Sequence, residues 1–172
     1  MPDQEQIWHV DENDKPIGPV GRDDSRKLGL RYRLVRISVE DRQGNILIQK
    51  RTATKKTYPN CWDTSAGGNI DYPESYEQAA LRELSEEIGI KVAALDEVAY
   101  FYAEAVDPDG NKMNRFTKVY RLVVDEQPEL TLQPDEVSEA RWVPLAELRD
   151  IVLGGAITDG LKQTFEHYYS KQ

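Results

Sequence analysis

The sequence predicts a mixed α/β or α+β sandwich, and three observations point to it. Short β-branched or aromatic runs recur between turn signals, a sharply capped amphipathic helix stands among them, and two further helical patterns close the chain. At 172 residues, with no repeat, low-complexity block or dividing linker, the chain fits one main domain, residues 30–172, preceded by an extension, residues 1–29.

The elements follow in order. Ile7–Val10 and Ile17–Val20 flank the turn-rich stretch Asp11–Lys15, which makes the extension hairpin-like. Leu34–Val39 is β-branched and alternating; Gln43, Gly44 and Asn45 form a tight turn, and Ile46–Ile48 returns as the next strand. Arg51–Asn60 is polar, carries Pro59 and should be a loop. Trp62–Ser65 is a short strand leading to Gly67 and Gly68, and Asn69–Glu74, with Pro73, is a second loop. Ser75 with Gln78 three residues on is a capping-box signature, so a helix should run from there to Ile88 and end at Gly89. Val98–Ala105 and Phe116–Val124 are strands about the turn Asp107–Gly110, and Ala140–Val143 is another. Leu145–Val152 and Asp159–Tyr169 read as helices, the second with a stripe of Leu161, Phe165, Tyr168 and Tyr169.

The bulk composition excludes several functions. A net charge of -9 argues against a broad nucleic-acid-polymer surface, which needs a basic stripe, but is compatible with a small phosphorylated ligand bridged to acids by a cation. The single cysteine, Cys61, rules out an internal disulfide and suits a reducing compartment. Met1–Ile7 lacks the apolar core of a signal peptide, and the longest nearly apolar stretch, Ile151–Ile157, is too short to span a bilayer. A cytoplasmic location is therefore expected. No feature of the sequence indicates an oligomeric state.

The chemistry concentrates in the helix after Ser75. At 100° per residue, Ala80, Leu81, Leu84 and Ile88 form a buried stripe, while Glu83, Glu86 and Glu87 crowd a neighbouring arc. Such acidic runs are commonly just a solvated face. Here, however, like charges three and four residues apart cost roughly 0.2–0.5 kcal/mol each, and they lie towards the end of the helix that disfavours negative charge. Arg82 can reach Glu86 and Lys91 can be placed near Glu87, which leaves Glu83 uncompensated at helical spacing. A divalent cation is the economical remedy, with magnesium suited to carboxylate oxygens, water and phosphate.

The spacing sharpens this reading. Gly68, five residues, Glu74, seven residues and then RELSEEIGI from Arg82 to Ile90 satisfy every position of G-x5-E-x7-R-E-U-x-E-E-x-G-U, with U a bulky aliphatic. Average residue frequencies make such a match an event on the order of once in ten million chains. The pattern is the Nudix box, and the chain resembles the Nudix hydrolase family over about residues 30 to 150. Glu136, Trp142, Pro144 and Leu145 resemble the usual ending of that domain, and the segment before the box resembles the isopentenyl-diphosphate-isomerase-like branch.

The resemblance implies an α/β/α sandwich with a mixed β-sheet and the box as loop-helix-loop. It implies Mg²⁺, or Mn²⁺ in its place, on Glu83, Glu86 and Glu87, with the Gly68 carbonyl as a further ligand and Glu136 as a candidate fourth carboxylate; Glu136 reads equally as a surface acid. Arg82, counted with the catalytic set, and Glu74 would orient the loop and the carboxylates. Glu86 and Glu83 both stand as the proton acceptor, with no choice between them. The expected reaction is hydrolysis of a diphosphate linkage in a small molecule, nucleoside di- or triphosphates or related derivatives first. Arg51 and Lys55, with Lys56, are candidates for substrate phosphate, although basic loop residues are more often solvated. Trp62, Tyr72 and Phe116 are candidates for stacking on a base, although aromatics beside strands are usually core. His9 and His167 read as structural or exposed, and Cys61 as a small, partly buried side chain.

Two rival functions follow from the same likeness. An isopentenyl-diphosphate isomerase needs a cysteine just before the box glycine and a histidine-rich metal site; this chain has Gly67 and Asn69 at those positions, and Cys61 lies on the other side of Trp62. A non-catalytic nucleotide- or protein-binding module of this fold commonly loses box carboxylates, and none is lost here.

Overall fold

A computed structural model describes residues 4–172. The first three residues of the Met1–Ile7 stretch therefore lie outside the described residues. The strands are β1 (Gln6–Val10), β2 (Pro16–Gly21), β3 (Arg31–Asp41), β4 (Asn45–Arg51), β5 (Trp62–Asp63), β6 (Ala66–Asn69), β7 (Asp96–Val106), β8 (Lys112–Val124) and β9 (Val137–Pro144). The helices are α1 (Arg22–Lys27), α2 (Tyr76–Ile88), α3 (Leu145–Gly154) and α4 (Asp159–His167), followed by a 3₁₀ turn at Tyr169–Lys171.

The sheet is mixed and β3 is its hub. β8 runs parallel to β3 from Arg31↔Asn114 to Asp41↔Val124, so one edge of β3 is wholly occupied. The other edge is shared in turn by β1 at Tyr32, β6 over Leu34–Ile37 and β4 at Glu40, all antiparallel. β7 extends the sheet beyond β8, and β9 and β5 both pair with β4.

Side chains alternate across a strand, which decides the layers. Val35, Ile37, Val39 and Leu47 face α2, packing against Ala79, Ala80, Leu84 and Ile88. Ile46 and Ile48, on the opposite face of β4, pack with Val143 against Leu148 of α3, Leu161 of α4 and Tyr169. The result is helix, sheet, helix: the expected α/β/α sandwich.

α2 begins and ends as the sequence indicates. The Ser75 hydroxyl accepts from the Gln78 N–H at 3.1 Å while the Gln78 side chain accepts from the Ser75 N–H at 2.9 Å, and Gly89 closes the helix with φ 76°. Such a cap contributes about 1 kcal/mol. The apolar stripe differs in detail, since Leu81 is half-buried and Ala79 takes its place.

Other boundaries move for physical reasons. Arg51 belongs to β4, because its N–H donates to the Cys61 carbonyl at 2.9 Å and its partner strand reaches Val137. The last helix stops at His167, where Tyr168 leaves helical geometry and Tyr169 turns inward. The short helix α1 is absent from the sequence reading; its six residues, RDDSRK, are too few and too polar for apolar periodicity to register.

The N-terminal hairpin is tied into the sheet and into the loop before α2. Ile7 is fully buried and bridges Asp71, the Tyr72 N–H donates to the Gln6 carbonyl at 2.9 Å, and the Trp8 indole donates to the Glu74 carbonyl at 2.7 Å. Asp14 accepts from Tyr76 and Tyr100 and pairs with Arg33. No helix among the described residues is long and apolar enough to cross a membrane.

Candidate active site

A polar cavity of about 770 Å³ collects the end of β6, one side of α2, the loop after β4 and the segment before β9. Gly68, Glu83, Glu86 and Glu87 line it, as do Arg51, Lys55 and Glu136. Two of these elements meet through backbone bonds at the end of α2. The Gln133 N–H donates to the Glu87 carbonyl at 2.9 Å, and the Thr131 N–H to that of Ile88 at 3.1 Å. That clamp brings Glu136 to the box. The Lys55 ammonium then pairs with the Glu136 carboxylate, and the Thr52 N–H donates to the Glu136 carbonyl at 3.2 Å.

The three box glutamates, equivalent in sequence, differ in environment. The Glu86 side chain is 52% exposed, that of Glu83 is 13% exposed, and Glu87 is buried. Burial, helped by Glu86 and Asp71, outweighs the pull of Arg82 and leaves the Glu83 carboxyl raised to about 7. Burial raises Glu87 well above the ordinary range, and the neighbouring Glu83 adds to it. A hydrogen bond from the Gln49 side chain and the charge of Arg36 act in the other direction. Two adjacent carboxyls are therefore held where ionisation is costly without a counter-charge.

Arg82 corrects one expectation. It does compensate Glu83, with Nη1 donating to Glu83 Oε1 at 2.9 Å, and the same nitrogen reaches Glu86 at 3.3 Å. Its other nitrogens hold both Glu74 oxygens at 2.8 and 3.0 Å, and Asp71 lies at 3.5 Å. Burial opposes the Arg82 charge, but Glu74, Glu83 and Asp71 outweigh it and leave the guanidinium firmly protonated. Helical spacing misses the contact because residues one apart rarely meet on a helix, and the long arginine side chain curls back towards the loop. The partner of Glu87 is the Gln49 side chain rather than Lys91, the cation that sequence spacing offers.

Gly68 is required by close approach. A Cβ there would lie 2.2 Å from Glu83 Oε1, so the glycine lets the carboxylate rest against the β6 backbone. Among the described residues no three Asp, Glu, His or Cys side chains converge as a ready metal cage, since the Arg82 guanidinium is interleaved with Glu83 and Glu86. The donor chemistry nonetheless fits a hard cation. Carboxylate oxygens of Glu83 and Glu87, together with the backbone at Gly68, border one cavity, and burial already disfavours their bare charge.

Arg51 lines the cavity with Nε and Nη2 donating to the Thr57 carbonyl and Nη1 3.8 Å from Asp63. The aromatic candidates lie elsewhere. Trp62 packs on the α3–α4 side, with Lys50 and Arg141 over its ring; Tyr72 sits edge-on to Trp8; Phe116 is buried beside Tyr100 and Tyr102. None of the three lines the cavity. His167 stacks on Phe101, Cys61 is half-buried, and neither they nor His9 border the site. Residues that sequence reasoning did not single out are Gln49, Asp63, Asp71, Arg36 and Arg115. No spacing rule connects them, because they come from different strands and loops; only Asp71, at an unspecified position inside the box, has a positional hint.

Comparison with known proteins agrees with this architecture. The chain is 39% identical over 141 residues to an uncharacterized Nudix hydrolase of Pseudomonas aeruginosa, covering 82% of this chain and 79% of the relative. It is 36% identical over 143 residues to Isopentenyl-diphosphate Delta-isomerase 2 of Photorhabdus laumondii, covering 83% and 79%. The crystal structure of DR0079 from Deinococcus radiodurans superposes with a TM-score of 0.75 at 29% identity, covering 95% of this chain and 99% of that one. The family model of the NUDIX domain matches residues 30–162, so this chain, with its box complete from Gly68 to Ile90, belongs to the Nudix hydrolases, enzymes that cut diphosphate linkages.

Proposed function

We propose that the enzyme is a Mg²⁺-dependent hydrolase, with Mn²⁺ able to replace Mg²⁺, acting on nucleoside di- or triphosphates or related nucleoside diphosphate derivatives in the cytoplasm. The observation that carries this reading is the pair of desolvated carboxyls, Glu83 and Glu87, beside Gly68 in a cavity that also presents Arg51 and Lys55. Nudix hydrolases generally need a divalent metal. The candidates to hold it are Glu83, Glu87, the exposed and rotatable Glu86 and the Gly68 carbonyl, with Glu136 as a further carboxylate. When bound, such an ion neutralises phosphate charge and lowers the pKa of a bound water.

The protein's own residues do the rest. Arg82, held by Glu74, fixes Glu83 against β6, and Gln49 fixes Glu87. Arg51, at the end of β4 and anchored on Thr57, and Lys55, in the loop after it and anchored on Glu136, meet phosphate oxygens. A glutamate of the box accepts the proton of the attacking water; Glu83 and Glu86 both remain open for that role. Residues 30–172 form the catalytic unit, with the N-terminal hairpin as a buttress for the loop before α2.

An isomerase reading is less well supported, despite the Photorhabdus relative's name. Gly67 stands where such enzymes carry cysteine, Cys61 does not border the cavity, and the lining offers little apolar surface for a prenyl group. The test is a screen of diphosphate compounds with Mg²⁺ and product identification, run beside Glu87→Gln. Gln is the near-isostere of a protonated Glu87, so the variant should fold normally and lose most turnover. Wild-type turnover by that variant at saturating metal would contradict the assignment.

A further inference from the structure

The cavity continues past the box to a wall of arginines, two of which, Arg36 and Arg115, the hydrolytic reading leaves unused. Arg115 faces it from β8 and is only 3% exposed. Its Nη2 pairs with Asp159 at the start of α4, its Nη1 meets only the Met113 sulfur at 3.7 Å, and its Nε has no protein acceptor. Burial works against this cation, and Asp159 keeps it charged. A guanidinium offers five N–H donors, and a thioether is a weak acceptor. Most of the hydrogen-bonding capacity of a buried cation is thus unmet, an arrangement that is expensive unless an acceptor arrives.

Arg36, from β3, repeats the pattern. It is 9% exposed, its Nη1 lies 3.3 Å from both Asp63 oxygens, and its Nε has no protein acceptor. The two arginines belong to one wall, because Thr158, next to Asp159, donates its hydroxyl to Asp63 at 2.9 Å. Arg51 approaches Asp63 from the third side at 3.8 Å. Three guanidiniums therefore share two carboxylates, which leaves the wall with one net positive charge in a largely buried setting.

We infer that this wall is an oxyanion subsite, with Arg115 as its specificity-determining residue. It takes a phosphate-type group that the substrate carries away from the linkage being cut. The planar guanidinium suits two oxygens of one such group, and Asp63 and Asp159 hold the two forks in place beforehand. The cavity's volume, near the upper part of the range for small-molecule sites, leaves room for a substrate reaching from Glu83 to Arg115. This inference rests on the cavity being the substrate site, but not on the metal or on turnover.

The test is therefore made without metal. Inorganic pyrophosphate is titrated calorimetrically in EDTA into wild type, Arg115→Gln and the double variant Arg115→Gln/Asp159→Asn. The double variant removes both partners, so no orphan charge is buried, and its fold is checked by circular dichroism. Wild type should bind, and both Arg115 variants at least tenfold more weakly. No binding by wild type, or equal binding by the folded double variant, would overturn the subsite. Absence of turnover across the diphosphate screen with pyrophosphate binding intact would instead overturn the hydrolytic substrate reading and leave the subsite standing.

Discussion

Replacing Gly68 by alanine should separate catalysis from stability. The new Cβ would lie 2.2 Å from Glu83 Oε1 and 2.6 Å from its Cδ, so the carboxylate must withdraw by about 1 Å to reach ordinary contact. The clashing atoms are the free end of a side chain, so Glu83 turns and the β6 backbone stays. The turn gives up the 2.9 Å bond from Arg82, while Arg82 keeps both bonds to Glu74. Losing one charge-assisted bond costs about 1.5–3 kcal/mol, and the stiffer unfolded chain returns about 0.4–1 kcal/mol. Relief of the burial that raises Glu83 offsets part of this, so the net loss is at most roughly 1–2 kcal/mol, a Tm lower by at most about 2–8 °C for a domain of this size. A 1 Å displacement of a group that positions the reaction costs on the order of 100-fold. Thermal unfolding of the metal-free protein measures the first effect, and kcat/KM on a turned-over diphosphate substrate, at several metal concentrations, measures the second. A Gly68→Ala protein with wild-type kcat/KM and unaltered metal dependence would show that the approach of Glu83 to β6 has no catalytic purpose.

The neighbouring Gly67→Ala should behave in the opposite way. Its Cβ would lie 2.7 Å from the Val35 carbonyl oxygen, a backbone atom inside the β3–β6 pairing that cannot rotate away, so Tm should fall further than in Gly68→Ala, by the roughly 1–3 kcal/mol typical of overpacking or more. A smaller Tm loss than in Gly68→Ala would count against that ordering. At the β3–β4 turn, burial pushes Asp41 upwards, but hydrogen bonds from Asn45, Gln127 and Gln43 hold it down at about 2, against 3.8 for an unstructured aspartate. A depressed carboxyl stabilises the fold above the unfolded value and loses that contribution as pH falls through the folded one. The difference in urea midpoint between wild type and Asp41→Asn should therefore be constant above about pH 4 and shrink between about 4 and 2; a difference independent of pH would refute this role.

What the sequence determined by itself was local. Ser75, Gln78 and Gly89 placed α2 because capping is chemistry between near neighbours, and the alternation along Leu34–Val39 and Ile46–Ile48 placed two strands and the layered core. The box from Gly68 to Ile90 identified the family and the glutamates, since the helix fixes their mutual spacing without help from the rest of the chain. It could not rank them, because exposure depends on what covers each one: the β4 side chain of Gln49 reaches Glu87, while the far side of the helix leaves Glu86 in water. It also left Glu83 without a partner, which the curled side chain of Arg82 supplies. Tertiary structure alone decided that Trp62 turns to the α3–α4 layer, that Glu136 meets Lys55, and that Arg36, Arg51 and Arg115 converge on Asp63 and Asp159. Lys55 and Glu136 alone are 81 positions apart, and pairings across strands leave no periodic trace in the chain that makes them.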